Sequence, residues 1–440
     1  MSQYNYPKGH SYFETFLRSF KLVNNPLEAM NESMEKFGDT YSISAANFRT
    51  YIATKNPDFI EHVLKKNHRN YQKSDIATEK LGKYIGKGLL TSNGAHWLKQ
   101  RRLIQPGFHI EKLKILYGIM KQTIDGFVKS FPTGNSVDVY PHMNRLAFDV
   151  VLNTLFNTQL PGDSRQLMAK FISDIQEYVV REIRQPHLNW WLILSGQTSK
   201  NLRKAKKLRS IIQNIVVQRK ESGEKYNDLL DMLLESRYED TGQPMEEDQL
   251  IDEIIILMVA GHETTANALS WMLYLLATNE DKLSRLNEEL HGLDLEAVIK
   301  NKYAQAVINE SMRLFPPVWI TDRVCMNSDQ WNGYTFPGRT VVIMYLFGLH
   351  HSAKQWEKPN DFFPERFLRE TARPISQNIF YPFGAGPRLC IGNNFAMAEM
   401  ALFLQAFNQK FSIHPTGYEP KKIPLVTLRP DKVLLRISKK

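Results

Sequence analysis

The sequence is short of cysteine and contains no long apolar run. Cys325 and Cys390 are its two cysteines, which are too few for a disulfide framework and fit a reducing compartment. The longest apolar stretch, near residues 254–260, has the length of a buried segment and is too short to span a bilayer. The first residues are polar and interrupted by Pro7 and Gly9, so they lack the apolar core of a signal peptide. We therefore expect a soluble, cytoplasmic protein without membrane insertion.

Linkers, repeats and several common cofactor motifs are also missing. The chain contains neither a Pro/Gly/Ser-rich linker nor a repeat of solenoid period, so we predict one domain over residues 1–440. It lacks a G-x-G-x-x-G segment after a strand and a set of four cysteines, which argues against a fused flavin or iron–sulfur module. The net charge of +10 suits acidic proteins, nucleic acid or anionic membranes and does not select among them.

The hydrophobic pattern predicts a mainly α fold with a smaller β portion near both ends, an α+β class. Apolar residues recur at three-four spacing from residue 79 to about residue 290, as in amphipathic helices. The longest helical pattern covers residues 246–278 and opens with acidic side chains, which the helix dipole favours. Strands are predicted at residues 40–43, 50–53 and 341–344, and a last helix begins near Asn393.

The segment FGAGPRLCIG at residues 383–392 holds one cysteine in a glycine-rich loop just before this last helix. Glycine permits positive φ and lets the backbone approach a flat ligand closely. A helix N-terminus and nearby backbone N–H groups stabilise a thiolate, and Arg388 supplies a cation for an anionic group. Such a loop is suited to hold the Cys390 thiolate against a metal in a large cofactor, although a lone cysteine beside a turn, taken by itself, is more often a buried structural residue.

This loop resembles the FxxGxRxCxG signature of the cytochrome P450 family at every fixed position, and the resemblance extends from about Asn25 to the C-terminus. It implies the fold of the haem-thiolate monooxygenases, with the haem between the long central helix and the cysteine loop. It also implies haem b (iron protoporphyrin IX), with Cys390 as the iron ligand and Phe383 beside the cofactor. In some hydroxylase relatives a glutamate directly before the helix glycine forms an ester with the haem. Ala260 occupies that position here, so we expect non-covalent binding apart from the iron ligand.

Glu310 and Arg313 lie three residues apart, on one face of a predicted helix. Taken alone, such a pair is commonly a surface ion pair of little energetic value. The resemblance identifies the two residues as the ExxR motif of the family and adds Arg366 from the segment PERF. It implies a buried structural triad that braces the chain beneath the cysteine loop.

Trp97 and Arg101 lie four residues apart and share one side of a predicted helix. Taken alone, the pair fits an amphipathic helix with a solvated arginine equally well. The resemblance implies that it reaches a haem propionate, with Arg388 as a second cation, Arg323 as a third and Lys73 as a fourth. The planar guanidinium groups among them suit bidentate binding of a carboxylate.

The segment AGHETT at residues 260–265 lies within the longest helical pattern. A glycine in mid-helix costs about 1 kcal/mol relative to alanine, so Gly261 predicts a local opening of the helix where a ligand, the cofactor, lies. The zinc motif H-E-x-x-H is excluded because Ala266 stands where its second histidine would be. The segment resembles the oxygen-activating element of the family, which implies that Thr264 orders water and that Glu263 relays protons to it.

The resemblance implies an enzyme that takes O₂ and a small-molecule substrate and inserts one oxygen atom into a C–H bond. A thiolate ligand donates electron density to the iron and favours O–O cleavage. Because no reductase module is predicted, electrons are expected from a ferredoxin or flavodoxin, with its NAD(P)H-dependent reductase, docking near the cysteine loop. The basic charge is consistent with an acidic partner, and no nucleic-acid partner is expected.

The strings at residues 71–75, 86–97 and 260–266 most resemble the branch that contains fatty-acid hydroxylases, although a scaffold does not fix a substrate. The expected pocket residues form a rim of apolar bulk, an indole and a hydroxyl: Ala260, Val318, Trp319, Ile320 and Thr321. We therefore expect a fatty acid or a similar lipophile as substrate.

Two other hypotheses stay open. Residues 181–191 are polar for the roof of a lipid channel, so oxidative O-demethylation of a methoxylated sugar is an alternative, with Trp190 and Trp191 stacking on the sugar. The simpler interpretation is that these tryptophans are packing residues. An O₂-independent haem isomerase or dehydratase is a different class, and it often lacks the acid–threonine pair. The presence of Glu263 and Thr264 argues against that class.

Overall fold

The computed structural model describes residues 4–44, 50–157, 162–185, 188–368 and 378–440. Helices dominate the part of the chain in which three-four spacing predicted them. The α-helices are α1 Tyr12–Asn24, α2 Pro26–Phe37, α3 Pro57–Glu61, α4 Gly82–Ile85, α5 Gly94–Ile104, α6 Ile110–Lys129, α7 Val139–Phe156, α8 Gly162–Arg184, α9 Asn189–Leu194, α10 Gln197–Ser222, α11 Leu229–Glu235, α12 Glu247–Ala277, α13 Glu280–Leu290, α14 Leu295–Lys300, α15 Lys302–Leu314, α16 Leu346–His350 and α17 Asn393–Lys410.

The strands lie mainly at the two ends of the chain and include all three predicted runs. They are β1 Gly9–His10, β2 Thr40–Ser44, β3 Thr50–Thr54, β4 Tyr71–Gln72, β5 Gly134–Asp138, β6 Thr321–Cys325, β7 Asp329–Trp331, β8 Tyr334–Phe336, β9 Val341–Met344, β10 Phe411–Pro415, β11 Lys422–Pro424, β12 Leu428–Pro430 and β13 Leu434–Lys439. The largest sheet has the order β1-β2-β3-β9-β6-β4, and β10-β13-β5 form a second sheet. Two hairpins, β7–β8 and β11–β12, complete the β portion.

The central helix α12 is 31 residues long, which corresponds to about 46 Å. Its first turn carries Glu247 and Asp248, whose charges favour the positive end of the helix dipole. The helix packs along α7 and also contacts α15 and α17. Between residues 253 and 273 every side is buried except one face, formed by residues 257, 260, 261 and 264. A long helix inside the core therefore presents one open face, which fixes the position of the site.

The predicted opening of the helix at Gly261 is wrong, because α12 continues through this residue as an unbroken α-helix. A Cβ at position 261 would lie 3.0 Å from a side-chain methyl group of Val151 on α7, which is tighter than ordinary van der Waals contact. Gly261 therefore allows α7 and α12 to pack closely. Although glycine is less favourable than alanine in a helix, the helix continues past it without a break.

Apolar side chains of α6, α7, α12 and α17 form the largest buried cluster, and a smaller cluster lies against the six-stranded sheet. These clusters hold the helices and the sheet around the cysteine loop. Among the described residues, no helix combines the length and the apolar character needed to cross a membrane.

Candidate active site

The cysteine loop, residues 383–392, precedes α17 and is held by its own backbone. The Leu389 N–H donates to the Gly386 carbonyl oxygen at 3.0 Å, and the Cys390 N–H donates to the Phe383 carbonyl oxygen at 2.9 Å. Gly386 has a φ of +66°, and a Cβ here would overlap the carbonyl oxygen of Leu64. Only glycine meets both conditions without strain, so the loop presents the cysteine in a fixed position.

The Cys390 sulfur lies in a recess, accessible at the surface but surrounded by protein. Burial raises the pKa of its thiol, while the Gly392 N–H and the charges of Arg101 and Lys73 act in the opposite direction. The backbone N–H beside the helix terminus thus acts in the direction that the sequence predicts, with burial opposing it. A metal ion bound to the sulfur would displace the proton outright.

Lys73, Arg101, Arg323 and Arg388, here called the cation cluster, repel one another. Burial and the charges of Arg323 and Arg388 lower the pKa of Lys73 to about 7. Burial and the charges of Arg323 and Arg101 lower the pKa of Arg388 to about 9. Burial also lowers the pKa of Arg323, and Asp322 opposes that shift. The cluster thus holds more buried positive charge than the carboxylates beside it balance, and it suits an anionic ligand.

Hydrogen bonds and one aromatic contact hold the cation cluster in place. Lys73 and Arg388 donate to main-chain carbonyl oxygens in residues 90–93, at 2.6 and 2.9 Å. The guanidinium carbon of Arg388 lies 3.7 Å from the centre of the Trp97 ring. Arg101, one turn further along α5, donates to a carbonyl oxygen of the cysteine loop at 2.8 Å. The cluster is therefore built from α5, the cysteine loop, the chain before α5 and, through Arg323, strand β6.

Glu310, Arg313 and Arg366 form a buried triad. Glu310 accepts two hydrogen bonds from Arg313, both at 2.8 Å, and one from Arg366 at 3.0 Å. Arg313 also donates to main-chain carbonyl oxygens of residues 350, 359 and 361. Glu310 and Arg313 are fully buried. The guanidinium donors of the two arginines are satisfied by the Glu310 carboxylate and by the backbone. The triad therefore ties α15 to the segment before the cysteine loop.

The open face of α12, formed by Leu257, Ala260, Gly261 and Thr264, carries the predicted catalytic hydroxyl. Ala260 is exposed although it lies in the middle of a buried helix. The Thr264 hydroxyl donates to the Ala260 carbonyl oxygen at 2.8 Å. The next residue, Thr265, is buried on another side of the helix. The hydroxyl that faces open space is therefore that of Thr264.

Glu263 lies beside Thr264 in sequence but faces a different environment. It is 4% exposed, and within the described part of the chain its Oε2 atom has no hydrogen-bond partner. Burial raises the pKa of its carboxyl group, against a hydrogen bond from Thr427 and the charge of Arg429. The carboxyl group therefore holds a proton more readily than an exposed glutamate does.

A family model described as Cytochrome P450 matches residues 7–437, nearly the whole chain. The chain belongs to the cytochrome P450 family. The chain is 27% identical over 400 residues to cyclooctat-9-en-7-ol 5-monooxygenase of Streptomyces melanosporofaciens, covering 90% of this chain and 86% of that one. It is 30% identical over 409 residues to echinocystic acid 23-monooxygenase of Saponaria officinalis, covering 85% and 77%.

A bile-acid enzyme and a solved structure extend the comparison. The chain is 28% identical over 406 residues to taurochenodeoxycholic 6 alpha-hydroxylase of Sus scrofa, covering 86% of this chain and 79% of that one. The crystal structure of the cytochrome P450DA heme domain matches with a TM-score of 0.87 at 20% identity, covering 99% of this chain and 98% of that one. The chain is thus a P450 monooxygenase with the P450 fold.

P450 enzymes bind haem b between the long helix and the cysteine loop, and the residues present here fit that cofactor. The accessible sulfur of Cys390 would hold the iron. The excess positive charge of the cation cluster matches the two propionates, with Trp97 behind Arg388. Ala260 adds no carboxylate to the open face of α12, which is consistent with haem that is not esterified to the protein.

The expected rim of the P450 pocket is assembled only in part. Val318 is 38% exposed and Thr321 is partly exposed. Trp319 is buried, packs against Tyr345 and donates to a main-chain carbonyl oxygen at 3.1 Å, so its assignment to the rim is wrong. Ile320 packs against the buried apolar cluster that contains Trp319 and Tyr345. A buried indole N–H usually has a hydrogen-bond acceptor, and for Trp319 this acceptor is the carbonyl oxygen of Leu425.

The proposed roof, residues 181–191, includes residues 186–187, which lie outside the described residues. The two tryptophans belong to α9. Trp190 is 59% and Trp191 is 50% exposed, whereas their neighbour Leu192 is fully buried. Their interpretation as packing residues is therefore wrong: α9 is anchored by Leu192 and presents both indoles at the surface.

Sequence reasoning missed the contribution of the β11–β12 hairpin. The amide of Asn267 on α12 donates to the Thr427 hydroxyl at 2.9 Å, and Arg429 acts electrostatically on Glu263. These residues lie more than 150 positions from their partners. No local pattern in the hairpin signals a role, so only the fold identifies it.

Proposed function

We propose that this P450 hydroxylates a C–H bond of a lipophilic small molecule, using electrons from a separate ferredoxin or flavodoxin with its NAD(P)H-dependent reductase. The observation that carries the proposal is the open face of α12, where Ala260 and Thr264 are accessible on a helix buried on its other sides. Such a face leaves room for substrate and O₂ on one side of the cofactor. The bound haem supplies the activation of O₂.

Thr264 and Glu263 are the proposed proton-delivery groups. The Thr264 hydroxyl donates one hydrogen bond of 2.8 Å to a helix carbonyl oxygen, and its oxygen can also accept one. Glu263 is buried and has an unpartnered oxygen. Burial keeps its carboxyl group able to carry a proton. We therefore assign Thr264 the ordering of water and Glu263 the supply of protons.

The surroundings of the open face favour a lipophilic substrate. Leu257 and Ala260 supply apolar surface on α12, and Val318, which the sequence predicts at the rim, is an accessible apolar side chain. Trp319, which the sequence predicted at the rim of the pocket, is packed in the core, and its indole N–H donates to a main-chain oxygen. This N–H group is therefore not offered to a substrate. The terpenoid and bile-acid substrates named for relatives of this chain are also lipophilic.

Oxidative O-demethylation of a methoxylated sugar is the second candidate. The observation that favours it is the exposure of Trp190 and Trp191, because an accessible indole offers an apolar face to a ring-shaped ligand. In that reaction the hydroxylated methyl group would leave as formaldehyde and release the free alcohol. Hydroxylation of the methyl group is the same C–H chemistry, so the two candidates differ in substrate and not in mechanism.

The proposed electron donor is an acidic protein that docks beside the cysteine loop. The segment at residues 62–66 packs against the loop, and Lys66, Arg69 and Arg102 are exposed cations on it or on neighbouring elements. A basic surface steers an acidic partner and accelerates its association at low ionic strength. The dependence of the electron-transfer rate on salt therefore tests this part of the proposal.

The deciding experiment is a substrate screen on the haem-loaded protein. Fatty acids, terpenes, bile acids and methoxylated sugars are added in turn, and the shift of the ferric Soret band reports displacement of the ligand on the iron. Each binder is then turned over with a surrogate ferredoxin chain under O₂ and under argon. We expect a lipophile to give the shift and an O₂-dependent hydroxylated product.

Each other outcome has a defined meaning. A shift and formaldehyde with methoxylated sugars alone would replace the lipophile by the second candidate. Product formation under argon would refute the monooxygenase reaction and favour an isomerase or dehydratase. Binding without any consumption of reduced nicotinamide would refute the proposed electron donor.

A further inference from the structure

The loop between α4 and α5, residues 86–93, is bound to the central helix by two adjacent acids. The Lys87 N–H donates to Oδ2 of Asp252 at 2.8 Å. The Leu89 N–H donates to Oε2 of Glu253 at 3.0 Å. Glu253 is fully buried, whereas Asp252 is partly exposed. The main chain of the loop therefore relies on two carboxylates of α12 as acceptors for alternate N–H groups.

Two glycines allow the loop to approach these acids closely. A Cβ at Gly88 would overlap the carboxylate of Glu253, and a Cβ at Gly86 would overlap that of Asp252. Gln249, one turn earlier on α12, donates to the carbonyl oxygen between the two glycines at 2.7 Å and to Oε1 of Glu253 at 3.0 Å. We call Gln249, Asp252 and Glu253 the loop clamp. It satisfies two N–H groups and one carbonyl oxygen of the loop, and a side chain at either glycine would displace it.

The same loop carries the acceptors that hold two members of the cation cluster. Lys73 donates to the carbonyl oxygen of Leu90 at 2.6 Å. Arg388 donates to the carbonyl oxygen of Ser92 at 2.9 Å and to Oδ1 of Asn93 at 3.1 Å. These acceptors directly follow the N–H groups that the loop clamp binds. A displacement of the loop at the clamp would therefore move the groups that position two cations for the haem propionates.

The two acids of the loop clamp differ in how their charge is balanced. Arg209 on α10 pairs with Asp252 and also with Asp248, the latter at 2.9 Å. Among the described residues, no cation pairs with Glu253. Burial and the charge of Asp252 raise the pKa of Glu253 to about 7, against the hydrogen bonds from the loop and from Gln249. The clamp therefore contains one paired carboxylate and one buried acid that resists ionisation.

We propose that Glu253 is a positioning residue that keeps the 86–93 loop, and through it the cation cluster, in place for the haem propionates, and that ionisation of Glu253 loosens this loop. The proposal requires haem as the cofactor and is independent of the substrate and of proton delivery by Thr264. In an opened loop, water would solvate the carboxylate and return its pKa towards about 4.5. The closed loop is therefore most stable at low pH, and this stability is lost as the pH rises through about 7.

The other charged groups near the loop are directed away from Glu253. On the loop itself, the side chain of Lys87 is exposed. On α4, Lys83 lies 3.8 Å from Glu182 of α8, and that pair is on a different element from the clamp. On α10, the cation described above pairs with Asp252. Asp252 is thus the charged neighbour that acts on the pKa of Glu253, and removing its charge should lower that pKa.

The test measures opening of the loop in the haem-loaded protein. Hydrogen–deuterium exchange of peptides covering residues 86–93 is followed between about pH 5 and pH 8.5, and each rate is divided by the intrinsic rate at that pH. We expect protection of the loop amides to fall about tenfold or more as the pH rises to about 7, and to stay level above it, since one unit of pKa shift corresponds to about tenfold in an equilibrium. Glu253→Gln keeps an acceptor for the Leu89 N–H without a titratable charge, so its protection should not change with pH.

Haem retention is the second readout. The rate of haem transfer to apomyoglobin is measured for the parent protein and for Glu253→Gln, and their ratio removes the pH effects that the two proteins share. We expect this ratio to rise over the pH range in which the loop loses protection. Asp252→Asn keeps an acceptor for the Lys87 N–H and lowers the pKa of Glu253, so its loss of protection should be smaller and should end at a lower pH. Glu296→Gln removes an exposed acid elsewhere on the chain and should leave both readouts unchanged.

A steric variant tests the contact without changing any charge. The Cβ of Gly88→Ala would displace the Glu253 carboxylate, so this variant should lower the protection of the loop at every pH. In a Glu253→Ala background the carboxylate is missing, and Gly88→Ala should have little further effect. Such non-additivity is expected of two residues in direct contact.

Protection that does not vary with pH in the parent, or that falls equally in the parent and in Glu253→Gln, would overturn the role of Glu253. A loop that loosens with pH while the ratio of haem-transfer rates stays constant would overturn its link to the cation cluster. If Glu253→Gln does not fold, the pH profiles of the parent and of Asp252→Asn carry the test. None of these readouts requires turnover, so their failure is distinct from failure of the proposed function.

Discussion

The guanidinium group of Arg388 stacks on the indole of Trp97, with 3.7 Å between the guanidinium carbon and the ring centre. The two residues come from the cysteine loop and from α5, so the contact joins the iron-ligand loop to the helix that carries Arg101. Burial and neighbouring cations lower the pKa of Arg388 to about 9. The aromatic face partly compensates this repulsion and keeps the guanidinium charge available for a propionate.

Loss of the indole should therefore weaken haem binding. A cation–π contact of a partly buried pair contributes about 0.5–2 kcal/mol, so Trp97→Ala should increase haem loss about 2- to 30-fold. Trp97→Phe keeps an aromatic face, so its rate of haem loss should fall between the rates of the parent protein and Trp97→Ala. Transfer of haem to excess apomyoglobin measures the rate. Equal rates in all three proteins would show that the contact does not support the cofactor.

Cys390 should be the iron ligand. We expect the reduced, carbon-monoxide-bound protein to show the Soret band typical of thiolate ligation and Cys390→Ala to lose it. Cys325→Ala is the matched control: Cys325 is buried, its thiol donates to a main-chain oxygen at 2.6 Å, and burial with the nearby Asp329 raises its pKa to about 11. Loss of the band in Cys325→Ala but not in Cys390→Ala would reverse the assignment.

Glu310 should be structural. Glu310→Ala leaves two arginines without their carboxylate in the interior, and breaking a buried charged group costs roughly 3–5 kcal/mol. We expect little soluble, haem-loaded protein. Glu296→Ala removes the acid of an exposed pair with Lys300 and should leave the yield and the melting temperature unchanged. A Glu310→Ala protein with full haem and a normal melting temperature but no turnover would instead indicate a catalytic role.

Thr264 should control the coupling of electrons to product. Thr264→Ala should bind haem, substrate and carbon monoxide and still consume reduced nicotinamide. Its product yield should fall about tenfold or more, in the range typical of positioned acid–base groups, and hydrogen peroxide should rise to match. Thr265→Ala removes a hydroxyl that does not reach the open face and should change coupling much less. Equal coupling in Thr264→Ala and the parent would move the proton source to the substrate.

Haem should be held without an ester bond. Acidic organic extraction should release all the haem from the parent protein, because Ala260 offers no carboxylate on the open face of α12. Ala260→Glu introduces that carboxylate, and haem retained by this variant alone after turnover would identify position 260 as the determinant. Haem that stays with the parent polypeptide would contradict the prediction.

The local parts of the site could be predicted because their residues are adjacent in sequence. The cysteine loop and the Glu310–Arg313 pair each lie within one short stretch of chain, and the i,i+3 spacing of Glu310 and Arg313 places their side chains together on one helix. The long central helix was predicted at residues 246–278 and occupies Glu247–Ala277, since apolar side chains surround it almost completely. The role of Gly261 was predicted wrongly because the low helix propensity of glycine can be read from the sequence. The close approach of α7, which requires the missing Cβ, cannot.

Which groups meet across the fold was decided by the tertiary structure alone. Composition and spacing predicted a mainly helical protein with a glycine-rich loop suited to hold the Cys390 thiolate, and the family resemblance implied haem with Cys390 as the iron ligand. The sequence did not determine that Trp319 turns into the core, that burial raises the pKa of the Cys390 thiol, or that Arg429 acts electrostatically on Glu263. Burial and long-range charge depend on every element packed around a group, and this information is not contained in any short stretch of sequence.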